Sequence, residues 1–350
     1  MSAPATPPPA ALAAKARVRE LSIAPWISQA MYAIAKLGVP DHLVDGPRPV
    51  EEVAPLVGAD PDTLHRLCRA LASAGVLTEA GPRTYGLDEP GQQLVSGRPG
   101  SLRDVVVMHG EETFRAFADI LHTARTGRPA FERVFGTSFY DYLRDTPEAE
   151  QLFHRAMGVS GRPPAVAGSL DLDGAKTVVD LGGGSGDLLA EVLTGHPGTH
   201  GVLLDLADAV EEGRRRMANA GLADRVRCVA GSFFDAVPEG DTYLLARVLH
   251  NWGDEDALRI LRRVRDAIPP HGRLVVLDRL VPEVAGPHPG KTADLVMLVV
   301  LGGRDRTRTE YADLLAEAGF ALESVVAPPP GADPRAESAL VARPGGPARS

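Results

Sequence analysis

What this 350-residue chain has little of narrows its function before any motif is considered. Cysteine is nearly absent: Cys68 and Cys228 stand far apart without a CxxC pair. Neither a disulfide framework nor a thiolate zinc site is expected, and the usage fits a reducing cytosol. Only 17 residues are aromatic and the net charge is −9, which gives nucleic acid neither a stacking surface nor a basic groove. Apolar runs are short. The longest, Leu295 to Leu301, falls far below the roughly 20 residues that span a bilayer. No HExxH or closely spaced acid and histidine cluster calls for a metal. The N-terminus is proline-broken, with its charges after the alanines, the reverse of a secretory signal. Residues 1–12 are therefore expected to be a disordered tail.

What is present supports two domains. Apolar residues make up 44% of the chain, enough for a sizeable core. Joints rich in glycine and proline, at 88–100 and 161–174, separate three regimes. In the first, residues 13–100, amphipathic helices end at Gly38 and Pro40, Asp60 and Pro61 open another that stops at Gly75, and VLTEAGPRTYGL reads as a hairpin. Helix, turn, helix and wing is a winged-helix-like order. Residues 101–165 read as a helical linker. From 166 to 345 the short β-branched runs TVVDL, HGVLLDL, RVRCVAG, TYLLARVL and RLVVLD alternate with helical stretches. The expected fold class is α/β: a Rossmann-like, doubly wound, mostly parallel sheet with a mainly α first domain.

TVVD runs into Leu181-Gly182-Gly183-Gly184-Ser185-Gly186 and then a helix. Such glycines let the backbone turn tightly at the carboxyl end of the first strand, where these sheets bind ligands. A dinucleotide fingerprint starting at Gly182 needs glycine at 187, and this chain has Asp187, which disfavours NAD. Asp180 before the loop and Asp205 at the end of the second strand suit a ligand with an ammonium group and a ribose diol. S-adenosylmethionine has both. A second constellation lies at the ends of the next strands. His250 follows TYLLARVL and Asp278 ends RLVVLD, so both belong to the ligand edge. A carboxylate on one imidazole nitrogen fixes the tautomer and leaves the other nitrogen to accept a proton.

Together VVDLGGGSG, LLDL, GSFF, RVLHNWGDEDALRILRRVRDAIPPHGRLVVLD and DLVMLVVLGGRDRTRTEY resemble the small-molecule O-methyltransferases of plant phenolics and bacterial aromatic natural products. The resemblance runs collinearly over about residues 15–345. It implies that Gly182, Gly184 and Gly186 line the methionine part of the cofactor and that Asp205 holds the ribose hydroxyls. Ser232 and Phe233 would meet the adenine, Arg247 would belong to the same site, and S-adenosylhomocysteine would be the product. His250 falls at the catalytic base, and Asp278 and Asp305 fall where plant members carry two glutamates beside it. Met157 and Met297 match the thioethers around the acceptor ring. Met108, His109, which stands near an asparagine position of plant members, and Asn251, after the base, complete the acceptor set, with the 101–165 segment contributing to it. The resemblance also implies a homodimer through the first domain and a phenolic acceptor in secondary metabolism.

Two other readings remain. The family includes members that bind the cofactor without transferring methyl and instead hydroxylate, decarboxylate or rearrange. A winged-helix start also occurs in transcriptional regulators. Residues 1–100 carry nine Lys or Arg against ten Asp or Glu, which leaves no footprint for phosphate.

Overall fold

The computed structural model describes residues 9–160, 163–333 and 335–345, which divide into two units. The first runs up to Arg115 and takes in Leu143–Ser160; the second holds Ala116–Tyr142 and the chain that follows Ser160.

In the first unit a helix spans Pro9–Leu37 and ends at Gly38, whose φ of 77° only glycine adopts readily. Residues 9–12, expected in the tail, are therefore helical, because Ala10, Ala11 and Leu12 continue into a run of strong helix formers. Residues 1–8 of that expected tail lie outside the described residues. The helix Pro61–Ser73 starts where the Asp60 side chain accepts a hydrogen bond from the Thr63 N–H at 2.8 Å. Strands β1 (Arg48–Pro49), β2 (Leu77–Gly81) and β3 (Thr84–Leu87) form a small antiparallel sheet with β3 in the middle. Ile34, Leu43, Leu64, Cys68, Leu71 and Tyr85 close its core.

The segment 101–165 does not stand as a linker of its own. Residues 101–115 and 143–160 join the first unit, where Leu152 and Val107 pack with Ala35. Its middle joins the second unit, where Phe131 is buried among Ala116, Ala130, Val299 and Val300. Apolar faces on separate short helices decide this split, and no composition change marks it.

The second unit is built on seven strands: β4 (Thr177–Leu181), β5 (His200–Asp205), β6 (Val226–Ala230), β7 (Thr242–Ala246), β8 (Arg273–Asp278), β9 (Phe320–Val326) and β10 (Ser338–Pro344). Their order is β6-β5-β4-β7-β8-β10-β9, with β4 to β8 parallel and β10 antiparallel to both neighbours. Side chains alternate between two buried layers, as a sheet covered on both faces requires. Val179 and Leu181 face the helix Asp254–Ala267, whereas Val178 faces the helix Asp187–Gly195. Chain order reverses at β4, with β5 on one side and β7 on the other. The carboxyl ends of β4 and β7 thus flank the switch point where such sheets take their ligands. Among the described residues no helix is long and apolar enough to cross a membrane.

Candidate active site

At the end of β4 the loop glycines Gly182, Gly184 and Gly186 have φ of 69°, 57° and 79°. Gly183 is needed for a different reason: a Cβ there would lie 2.5 Å from Asp180 Oδ2 and equally close to Leu203 Cδ1. The loop is thus pressed onto Asp180, a fully buried carboxylate whose two oxygens have no hydrogen-bond partner among the described residues. Burial pushes its carboxyl up to about 7, and the nearby Asp205 charge adds to the shift. Asp205 accepts the Gly184 N–H at 2.7 Å and the Leu206 N–H at 2.7 Å. An orphaned carboxylate beneath a loop without side chains, beside a second acid, fits a cationic ammonium group and a hydroxyl-bearing sugar.

Aromatic rings gather next to it. Phe233 lies against Gly182, 3.4 Å from where a Cβ would stand, and meets Trp252 edge-on at 6.2 Å. Phe234 meets Trp252 at 4.8 Å, and Tyr140 stacks on its ring at 6.2 Å and 25°. Burial, then the Asp205 charge, raises the Tyr140 phenol. Ser232 Oγ accepts the Phe234 N–H at 3.2 Å. Arg247, in a left-handed conformation at φ 56°, turns the chain out of β7. Its guanidinium pairs with Glu337, and its carbonyl accepts the Asn251 amide at 3.0 Å.

That turn sets His250 into the interior, 5% exposed, on a short 3-10 turn Leu249–Asn251. Its Nδ1 meets Asp305 Oδ1 at 2.9 Å and stands 3.9 Å from Asp278 Oδ1. Asp278 Oδ2 accepts the Tyr311 hydroxyl at 2.9 Å. Burial raises the Asp278 carboxyl above its usual range, against the pull of the His250 imidazole and the Tyr311 hydrogen bond. Asp305 is held by its own N–H, which donates to Asp294 Oδ1 at 2.7 Å. Gly303 has no room for a Cβ, because the His250 carbonyl occupies it. An ionised Asp305 can only accept, so Nδ1 carries the proton and Nε2 is the basic nitrogen.

Of the residues expected at the acceptor, Met108, His109 and Met157 lie in the first unit, while Asn251 and Met297 lie in the second. Met108 packs half-buried with Ala35, Val107 and Leu152. His109 is exposed and opens the π-helical turn His109–Thr113. Met297 is buried and opens a second such turn, Met297–Leu301. Turns of this kind recur at functional sites. Sequence reasoning missed Tyr140, Trp252, Arg306 and Tyr311. Trp252, two residues after His250, had a positional signal; Tyr140 had none. Arg306, 1% exposed, donates to the Leu249 carbonyl at 3.1 Å, to that of Trp252 at 2.9 Å and to Asp254 at 2.7 Å, fastening the His250 turn.

Residues 114–321 match the family model of the O-methyltransferase domain, and residues 20–97 match the O-methyltransferase dimerisation domain. The chain belongs to the O-methyltransferase family. It is 42% identical over 304 residues to a phenazine O-methyltransferase of Lysobacter antibioticus, covering 86% of this chain and 89% of that relative. Its fold matches the mitomycin 7-O-methyltransferase at a TM-score of 0.89 and 36% identity, over 96% of this chain and 99% of the other. An O-methyltransferase from neocarzinostatin biosynthesis, in complex with S-adenosylmethionine and 2-hydroxy-5-methyl naphthoic acid, matches at a TM-score of 0.81 and 33% identity, over 91% of this chain and 95% of the other. The methyltransferase uses S-adenosylmethionine, and the loop over Asp180 fits that cofactor on its own geometry.

Proposed function

We propose that this methyltransferase methylates a phenolic hydroxyl of an aromatic secondary metabolite, with His250 as the general base. The observation that carries the reading is the 2.9 Å contact from His250 Nδ1 to Asp305, which dedicates Nε2 to proton abstraction. Bound S-adenosylmethionine supplies an electrophilic methyl on a sulfonium centre. The chain supplies charge, position and a base. Asp180 offers its unpartnered carboxylate to the ammonium group, and the ring cluster of Phe233 and Trp252 offers an apolar bed to the adenine. A phenol near pKa 10 is mostly protonated at pH 7, so removing its proton raises the nucleophilicity of the oxygen. The proton leaves the phenolic oxygen and binds Nε2. Asp305 keeps the ring oriented throughout, and a positioned base of this kind adds about 10²- to 10⁴-fold.

Acceptors named for the relatives, among them a phenazine and a naphthoic acid, support an aromatic substrate. The dimerisation-domain match supports a homodimer. So does the first helix, whose Val18, Leu21 and Trp26 are 67%, 56% and 70% exposed. Calorimetric titration with S-adenosylmethionine and S-adenosylhomocysteine, followed by mass spectrometry of a phenol panel, tests the function. Binding with products heavier by one methylene supports it. Binding of both ligands without methylation of any phenol moves weight to a non-methylating reaction, and light scattering that finds a monomer removes the homodimer.

A further inference from the structure

We propose that Tyr311 is a positioning residue for methyl transfer, acting on His250 through Asp278. Its hydroxyl fixes the Asp278 carboxylate so that the other carboxylate oxygen faces the Nδ1 side of the imidazole. The inference rests on the reading of His250 as the base.

Asp278 is fully buried, and a buried carboxylate stays ionised only with donors or cations around it. Four groups face it: His250 from the turn after β7, Asp305 from the loop before the helix Arg308–Glu317, Tyr311 from that helix, and Arg279, its neighbour in the chain. Among the described residues only Tyr311 donates a hydrogen bond to it, at 2.9 Å to Oδ2. Among them Oδ1 has no hydrogen-bond partner, and it stands 3.9 Å from His250 Nδ1. Tyr311 is itself fully buried, and its ring lies under the Arg306 guanidinium, 5.7 Å away. Arg306 in turn holds the carbonyls of Leu249 and Trp252 on either side of His250. Hydroxyl, carboxylate, guanidinium and imidazole thus share one buried frame.

The frame gives His250 two anions at one nitrogen. Asp305 accepts the hydrogen bond of the Nδ1–H, and Asp278 faces the same edge without a donor from the ring. When the phenolic O–H breaks and the proton binds Nε2, the ring becomes a cation between two carboxylates. Asp278 favours that cation only while it is ionised, and beside the charges of His250 and Arg279 the Tyr311 hydroxyl is the hydrogen-bond donor that favours its ionised form.

The test uses Tyr311→Phe, Asp278→Asn and the double variant in the full-length protein. The His250 ring is titrated by NMR with labelled histidine, its signal assigned by its loss in His250→Gln, and kcat is followed against pH. In Tyr311→Phe the ring titration and the acid limb of the kcat profile should both move to lower pH, by about half a unit. Turnover at the plateau should fall about threefold to tenfold with KM for S-adenosylmethionine unchanged. Asp278→Asn should move the titration at least as far, and the double variant no further than Asp278→Asn alone. An unmoved His250 titration in Tyr311→Phe with a native melting curve overturns the proposal, as do additive shifts. Should Tyr311→Phe not fold, an unmoved titration in Asp278→Asn overturns it. If the ring titration moves while the kcat profile does not, the coupling of Tyr311 to His250 stands and the base reading fails.

Discussion

Two buried polar groups stand at neighbouring strand ends of one sheet edge, and they are satisfied in opposite ways. Asp180, at the end of β4, has no hydrogen-bond partner on either oxygen among the described residues. His250, one turn beyond β7, has Asp305 on its Nδ1 and a carbonyl held by the Arg304 N–H at 2.9 Å. On the proposed roles, the first group is left for the cofactor to complete and the second is completed by the chain itself. A cofactor that must bind and leave supplies its own countercharge, whereas a base must hold one tautomer at every turnover.

If that contrast is right, damage to the two groups separates binding from chemistry. His250→Ala should lower kcat by about 10²- to 10⁴-fold while calorimetry finds S-adenosylmethionine affinity unchanged; equal loss of affinity would join the two groups into one. Asp305→Asn should cost about 10- to 100-fold in kcat, because an amide no longer compels Nδ1 to carry the proton. The readout is turnover at saturating substrates. Gly183→Ala drives a methyl into Asp180 and Leu203, so affinity for the cofactor should fall and stability should drop by about 1–3 kcal/mol, measured by denaturant unfolding.

Asp180→Asn has the smallest effect on turnover and the clearest dependence on pH. The folded carboxyl is raised to about 7 from its ordinary 3.8, so the folded state binds the proton more tightly than the unfolded chain does. Its contribution to stability is therefore full below the ordinary value and is lost as pH rises through about 7. The ligand-free protein should lose melting temperature over that window, and Asp180→Asn should flatten the slope. Cofactor affinity should run the other way, strengthening as Asp180 ionises and losing that dependence in the variant. A variant that keeps the wild-type pH dependence of binding would remove Asp180 from the ammonium site.

Much of this edge was legible in the chain. The run TVVDLGGGSG carries a buried-strand signature, turn glycines and an acid that no strand core would choose for packing. His250 and Asp278 each stand at the carboxyl end of a β-branched run, which places them on the ligand edge without tertiary information. Less legible were β9 and β10, two strands parted by a stretch rich in glycine and proline, with β10 inserted against chain order. Tyr140 and Tyr311 gave no local signal, since a tyrosine in a helix reads as core and what each one meets, the Trp252 ring and the Asp278 carboxylate, is remote in sequence.

The sequence by itself determined the α/β class, the helices that stop at glycines, the loop over Asp180 and the candidacy of His250, because backbone preference and hydrophobic period act over a few residues. Only the tertiary structure decided that Asp305 takes Nδ1 while Asp278 turns to Tyr311, and that residues 116–142 pack with the sheet domain. Those outcomes depend on how buried groups far apart in the chain share a limited set of donors, acceptors and apolar faces, a choice that no local propensity encodes.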